Sequence, residues 1–158
     1  RERARFWRQS VMRHGEQAKL DFNRYLSFKG LGGDLHIDHA EEKLDAQVQT
    51  NSQDRAAHST ASIKSLSGGE QAFSTLALAL SMWQFSNTPV RAMDEFDKNM
   101  DATFQKVSLS LLLELFQEQK ERQFLILTPL DYSPFLRELN ICADERCIQF
   151  TTLAPPRE

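Results

Sequence analysis

Apolar and polar positions alternate along this chain with two different periods. From Arg1 to about Leu26 strong helix formers run without a proline, and Trp7, Val11, Ala18, Phe22 and Tyr25 recur at helical spacings. This predicts a helix over 1–26 with one apolar stripe and Arg and Glu on its other faces. At 1.5 Å per residue it would reach roughly 39 Å, more than a domain of this size usually hides. The pattern therefore suggests the end of a coiled coil entering a domain that occupies 27–158.

Glycines at 30, 32 and 33 then break the helix. Leu35, Ile37 and His39 alternate with Asp34, His36 and Asp38, and Leu44, Ala46 and Val48 alternate with Asp45 and Gln47. Two period-two runs around a short acidic turn predict an antiparallel hairpin with one buried face. The stretch from Thr50 to Thr60 has almost no large apolar residue, which predicts a mobile loop over 50–62. Beyond it the helical period returns at Phe73, Leu76, Ala77, Leu80 and Trp83, stopping near Pro89. Val90–Met93 is a short extended run, Phe104, Val107, Leu111, Leu112, Leu115 and Phe116 mark another helix, and Gln123–Thr128 is β-rich up to Pro129. Cys147–Thr152 is a candidate last strand. Alternating helices and strands at this pitch predict an α/β fold: a mostly parallel sheet with flanking helices, plus the antiparallel hairpin.

Composition narrows the picture modestly. At 158 residues, 41% hydrophobic and 26% charged, the chain is ordinary globular material for one domain. A net charge of −3 argues against a generally basic nucleic-acid binder. It leaves open a local basic patch at Arg1, Arg3, Arg5, Arg8, Arg13, Lys19 and Arg24, which reads equally as DNA-contacting or as a solvated helix face. No apolar stretch is long enough to span a membrane. Cys142 and Cys147 read as free thiols in a chain without a secretory leader. The start lacks Met and falls within a helix, as in a fragment of something longer. Asp34, His36, Asp38 and His39 resemble metal ligands in type, but period-two geometry sends His36 and His39 to opposite faces.

Four short motifs carry chemistry. In Leu66-Ser67-Gly68-Gly69-Glu70, adjacent glycines open a helix whose first N–H groups have no intrahelical partner, a ready anion site. Ser67 and Glu70 also form the pattern of a capping box, and the two readings are compatible. In Val90-Arg91-Ala92-Met93-Asp94-Glu95 a strand ends in two acids at the sheet edge where α/β folds place ligands. There Asp94 can hold Mg²⁺ through water and Glu95 can deprotonate an attacking water, although a solvated acidic loop has the same sequence. Phe96 to Asp101 reads as a polar loop with Asp101 capping the next helix, and Thr128-Pro129 ends the later strand.

Order and spacing bring these together. LSGGE resembles the signature of ABC-type ATPases, MDEFD their Walker B motif with its catalytic Glu, and Asp101 the D-loop acid. With the long preceding helix, the chain resembles the C-terminal lobe of an SMC-family head. Over Ser65–Pro129 it is most similar to the SMC-six branch of the eukaryotic SMC-five/six complex. That resemblance implies an ATP hydrolase active only in a full head dimer, with ATP and Mg²⁺ as cofactors and Glu95 and Asp94 serving the lobe's own nucleotide. Ser67, Gly68 and Gly69 would face the ATP of a partner, SMC-five-like head. Implied partners are the chain's own N-terminal Walker A lobe, that partner head, a kleisin subunit and DNA. The implied setting is the chromosome in the nucleus, in maintenance and repair, with no membrane. Two features depart from the general ABC pattern: Pro129 stands after Thr128 where a switch histidine often contacts the γ-phosphate, and no G-x-x-x-x-G-K-[ST] loop occurs. A rival reading makes the chain a docking module in which Phe6 and Trp7 on the neck helix meet the kleisin, or else pack on an opposing coiled-coil strand. Another makes it the head lobe of a different ABC-type DNA-repair ATPase.

Overall fold

A computed structural model describes residues 2–50, 60–138, 149, 151 and 153. The elements run α1 (Glu2–Ser27), β1 (Gly32–Asp38), β2 (Lys43–Gln49), β3 (Thr60–Ser62), a 3₁₀ turn (Ile63–Ser65), α2 (Gly68–Trp83), β4 (Val90–Asp94), α3 (Ala102–Glu118), β5 (Gln123–Leu127) and α4 (Ser133–Glu138). They fall into two compact units, Arg1–Thr128 and Pro129–Glu158.

The first unit holds two sheets. β1, β2 and β3 form an antiparallel sheet in that order, with Leu35 opposite Ala46 and Gly33 opposite Val48. The alternation sends Leu35 and Val48 to a buried face, while Asp34, His36 and Asp45 stay exposed or half-buried. β1 lies directly on α1. A Cβ on Gly33 would come within 2.3 Å of Leu26 and 2.7 Å of Phe22, so only glycine lets strand and helix approach this closely. Thr60–Ser62, expected within a loop, instead forms β3 by pairing with Gln47–Gln49. The free edge of β2 supplies backbone partners that demand no apolar side chain. Residues 51–59 of the expected loop lie outside the described residues.

β4 and β5 form a parallel pair with Val90 opposite Gln123 and Asp94 opposite Leu127. One face of this pair packs on helices: Phe124 stacks on Phe116 at 4.2 Å between centroids and lies 6.1 Å from Trp83. The opposite face leaves Val90, Leu125 and Leu127 exposed, an apolar surface that parallel sheets normally cover.

The core gathers Phe22, Tyr25 and Leu26 of α1, Leu35 of β1, Val48 of β2, Phe73, Leu76 and Leu80 of α2, and Leu111, Leu112 and Leu115 of α3. Burying such side chains contributes about 1.5–3 kcal/mol each relative to exposure. An ion pair reinforces the helix contact: Arg24 donates to Glu114 and Glu118, both at 2.7 Å. The Glu118 and Glu114 carboxylates raise the Arg24 pKa above its ordinary value.

Arg91 is the one charged side chain buried inside β4. Its guanidinium donates to Gln119 Oε1 at 2.8 Å, to Ser86 O at 3.0 Å and to Trp83 O. Two of these bonds satisfy carbonyls at and just past the end of α2, tying that helix to the strand, and the third reaches Gln119 at the end of α3. In the second unit, Asp131 accepts from the Ser133 N–H at 2.9 Å to start α4, and Leu136 is buried. The Ser133 hydrogen bonds hold the Asp131 carboxyl below its usual range. The expected thiols Cys142 and Cys147 lie outside the described residues, as do Arg1 and, in the expected strand Cys147–Thr152, all residues but Gln149 and Thr151.

Candidate functional site

Two turns carry the chemically interesting residues. The first leads into α2. Ser67 is extended (φ −60°, ψ 155°) and Gly68 begins the helix. The Glu70 carboxylate reaches back to accept from the Ser67 N–H at 3.2 Å and from its Oγ at 2.7 Å. Ser67 and Glu70 thus close the capping box that starts α2, with Gly68 and Gly69 as the first two residues of the helix. The two glycines differ. A Cβ on Gly69 would lie 3.0 Å from the Phe104 ring, whereas one on Gly68 would meet nothing within 4 Å. Gly69 thus presses the turn against the first turn of α3, and Gly68 faces open space. Lys29 sits over the same Phe104 ring, 4.4 Å from its centroid, bringing a cation to this cluster.

The second turn follows β4. Asp94 ends the strand and is exposed. Glu95 has φ +47°, a left-handed conformation that L residues adopt only when their surroundings hold it. Its N–H donates to Leu127 O at 2.9 Å, extending the parallel ladder by one bond. Its carboxylate meets Lys98 Nζ at 2.6 Å, and that contact raises the Lys98 pKa. Asp97 is fully buried and accepts from Thr128 Oγ1 at 2.6 Å. Met100 N–H donates to Asp97 O at 3.1 Å, and Asp101 then caps α3 by accepting from Thr103 and Phe104 N–H at 2.8 and 2.9 Å. The two turns therefore converge on one helix start: Asp101 caps α3 from one side and Gly69 touches its Phe104 from the other.

No protein-family model matches the chain. Among curated proteins it is similar to the structural maintenance of chromosomes protein 6 of Homo sapiens, 36% identical over 135 residues, covering 82% of this chain and 12% of that protein. It is similar too to that of Dictyostelium discoideum, at 38% identity over 82% of this chain and 11% of that protein. Schizosaccharomyces pombe protein 6 is 37% identical over 70% of this chain and 10% of its own length. The chain thus spans only about a tenth of these relatives. Among solved structures, an Smc head bound to the C-winged helix domain of ScpA superposes with a TM-score of 0.63 at 25% identity, covering 78% of this chain and 38% of that one. The Smc head domain of Pyrococcus yayanosii with a coiled coil and joint gives 0.64 at 23% identity, covering 80% and 24%. The chain is a C-terminal SMC head lobe of the SMC-six branch.

Within this SMC lobe the expected site residues occupy unlike settings. Ser67, Gly68, Asp94, Glu95 and Asp101 are exposed, Gly69 and Thr128 are half-buried, and Pro129 is exposed. Phe6 and Trp7 stand 67% and 66% exposed near the start of α1, on the part of the helix that extends past the core. Of the basic residues considered for DNA, Arg24 is held by α3 and Lys19 pairs with Asp34 at 2.8 Å, while Arg3, Arg5, Arg8 and Arg13 are exposed.

Three residues of the SMC lobe escaped the sequence reading. Asp97 looked like one more polar loop residue, because its partner Thr128 is remote in sequence. Lys98 carried no signal beyond lying three residues after Glu95. Arg91 did carry one: a cation inside an apolar strand is kept only where acceptors meet it.

Asp94 and Glu95 fit the surroundings of a hydrated magnesium–nucleotide complex. Asp94 is open to solvent at the carboxyl end of a parallel strand. Among the described residues no three His, Cys, Asp or Glu side chains converge into a cage. A single carboxylate suits Mg²⁺, which holds most of its waters and takes further oxygens from phosphates.

Proposed function

We propose that this lobe serves an ATP-hydrolysing SMC head pair by offering two surfaces to two different nucleotides. Asp94 and Glu95 complete the ATP site of the lobe's own head, whose Walker A loop belongs to an N-terminal lobe. Ser67, Gly68 and Gly69 meet the ATP carried by a partner, SMC-five-like head.

The observation that carries this is the position of Asp94 and Glu95. They sit exposed at the carboxyl end of a parallel strand pair whose outer face, Val90, Leu125 and Leu127, is apolar and uncovered. An N-terminal lobe packed there would remove that face from water and bring its phosphate loop beside the acids. Mg²⁺, when bound, neutralises phosphate charge. Asp94 would hold it through water, and Glu95 would orient and take a proton from an attacking water. Lys98 holds the Glu95 carboxylate at 2.6 Å and must release it for that work.

The α2 turn suits the second role. It lies at a helix N-terminus, Gly68 leaves room for a phosphate, and the helix dipole favours an anion. Asp101 would carry the D-loop role beside it, already fixed as the cap of α3. Thr128 and Pro129 occupy the switch position without a histidine. In this reading ATP joins the heads and hydrolysis releases them, driving a conformational cycle that handles DNA on nuclear chromosomes in maintenance and repair.

A second role is favoured by the exposure of Phe6 and Trp7. As part of a neck at the end of a coiled coil, spanning 1–26, they offer aromatic anchors to a kleisin or to the opposing coiled-coil strand. The similar Smc head bound to a ScpA domain supports the first of these occupants.

Isothermal titration with Mg-ATP tests the shared site. The lobe alone is expected to show no micromolar binding, because the loop and Lys that supply most phosphate affinity lie elsewhere. Adding a separately expressed Walker A lobe should restore it. Micromolar binding by this lobe alone would contradict the proposal.

A further inference from the structure

The loop after β4 is fastened to the tip of β5 at two adjacent residues. Glu95 N–H donates to Leu127 O at 2.9 Å, and Thr128 Oγ1 donates to Asp97 Oδ2 at 2.6 Å. Between these anchors the backbone bends through the left-handed conformation of Glu95, at φ +47°. Such a conformation persists only where neighbouring contacts over-determine it. Asp97 is 0% exposed, and Thr128 supplies the donor that meets its Oδ2 there. A hydroxyl has a single proton to give. The one on Thr128 goes to Asp97 and so is not offered to a phosphate.

We propose that Asp97 and Thr128 are a positioning pair: their hydrogen bond holds the turn on which Glu95 stands, so Thr128 acts on the reaction through Glu95 and not on the nucleotide. This deepens the reading of Glu95 as general base and rests on it. Chemically the pair replaces a direct phosphate contact with an internal brace. A displacement of about 1 Å at a reacting group costs on the order of 100-fold in rate, so even partial loosening of the brace is measurable.

The test uses a full-length SMC protein carrying this lobe, assembled with its partner head, and measures steady-state ATP turnover. Thr128→Val keeps shape and removes the hydroxyl. It is expected to lower kcat about tenfold while KM for ATP stays within about twofold. Thr128→Ser restores the hydroxyl and should recover kcat to within about twofold of the parent. In a Glu95→Gln background, Thr128→Val should cause no further fall, because both changes then act on one group. An unchanged kcat in Thr128→Val would overturn the pair. So would a raised KM at constant kcat, which marks a direct phosphate ligand, or losses that multiply with Glu95→Gln. Should Thr128→Val fail to fold, Asp97→Asn takes its place: the amide keeps an acceptor but loses the charge, for an expected fall of about threefold in kcat at constant KM. An unchanged kcat there overturns the pair equally. If Glu95→Gln alone turned over normally, the general-base reading would be at fault. A Ser-rescued loss at Thr128 would then still establish the brace, and its absence would dismiss it.

Discussion

The turn that opens α2 and the turn that leaves β4 are built on opposite plans. The first is open: Gly68 faces nothing within 4 Å, and Ser67 is exposed and tied only to Glu70. The second is braced: Glu95 is bonded to Leu127 and Lys98, Asp97 is buried against Thr128, and Asp101 is spent on the α3 cap. A surface that must admit another molecule has to keep space free where that molecule arrives. A group that must meet a reacting atom has to be held still, and holding it requires neighbours that do little else. The proposed division of roles, one turn for a nucleotide brought by another head and the other for a nucleotide bound at home, would account for this contrast.

The largest expected effect breaks the braced turn at its functional end. Glu95→Gln in the assembled head pair should lower ATP turnover by a factor on the order of 10²–10⁴ while ATP-dependent pairing persists, as read by turnover and by size-exclusion chromatography. Next comes the packed side of the open turn. Gly69→Ala pushes a methyl into the Phe104 ring, 3.0 Å from the added carbon, and should destabilise the lobe by about 1–3 kcal/mol in denaturant titration. Asp101→Ala removes a cap that accepts from two amides and should cost about 1 kcal/mol in the same assay. Smallest is Gly68→Ala, whose new methyl meets open space. Stability should move by no more than about 0.5 kcal/mol, although pairing with a nucleotide-loaded partner head should weaken. If Gly68→Ala destabilised as much as Gly69→Ala, the division of the turn into a packed and an open side would be wrong.

Much of this organisation was readable in the sequence. Helices α1, α2 and α3 announced themselves by their 3.6-residue period, and the β1–β2 hairpin by strict alternation around an acidic turn. These signals are local, and the core simply agreed with them. What stayed hidden depended on remote partners. β3 consists of Thr60, Ala61 and Ser62, which carry no strand pattern and become a strand only because β2 offers an edge. The hydrogen-bond partner of Asp97 is Thr128, 31 residues away, and no periodicity marks such a pair. α1 shows the limit from another side. Trp7 and Phe22 lie on one stripe, yet one is 66% exposed and the other fully buried, because burial depends on what lies beneath a helix and not on its pattern. For the site, residue types and order pointed to both turns, but the brace behind Glu95 and the different surroundings of Gly68 and Gly69 required coordinates.

The central claim is that the serine–glycine turn serves a nucleotide other than the one at Asp94 and Glu95. Ser67→Arg places bulk and positive charge on the open turn, so the decisive measurement is ATP affinity of the complete head carrying it, alongside pairing with a nucleotide-loaded partner head. Unchanged affinity for its own ATP with pairing abolished is the predicted result. Lost affinity for its own ATP, or pairing that survives, would contradict the claim.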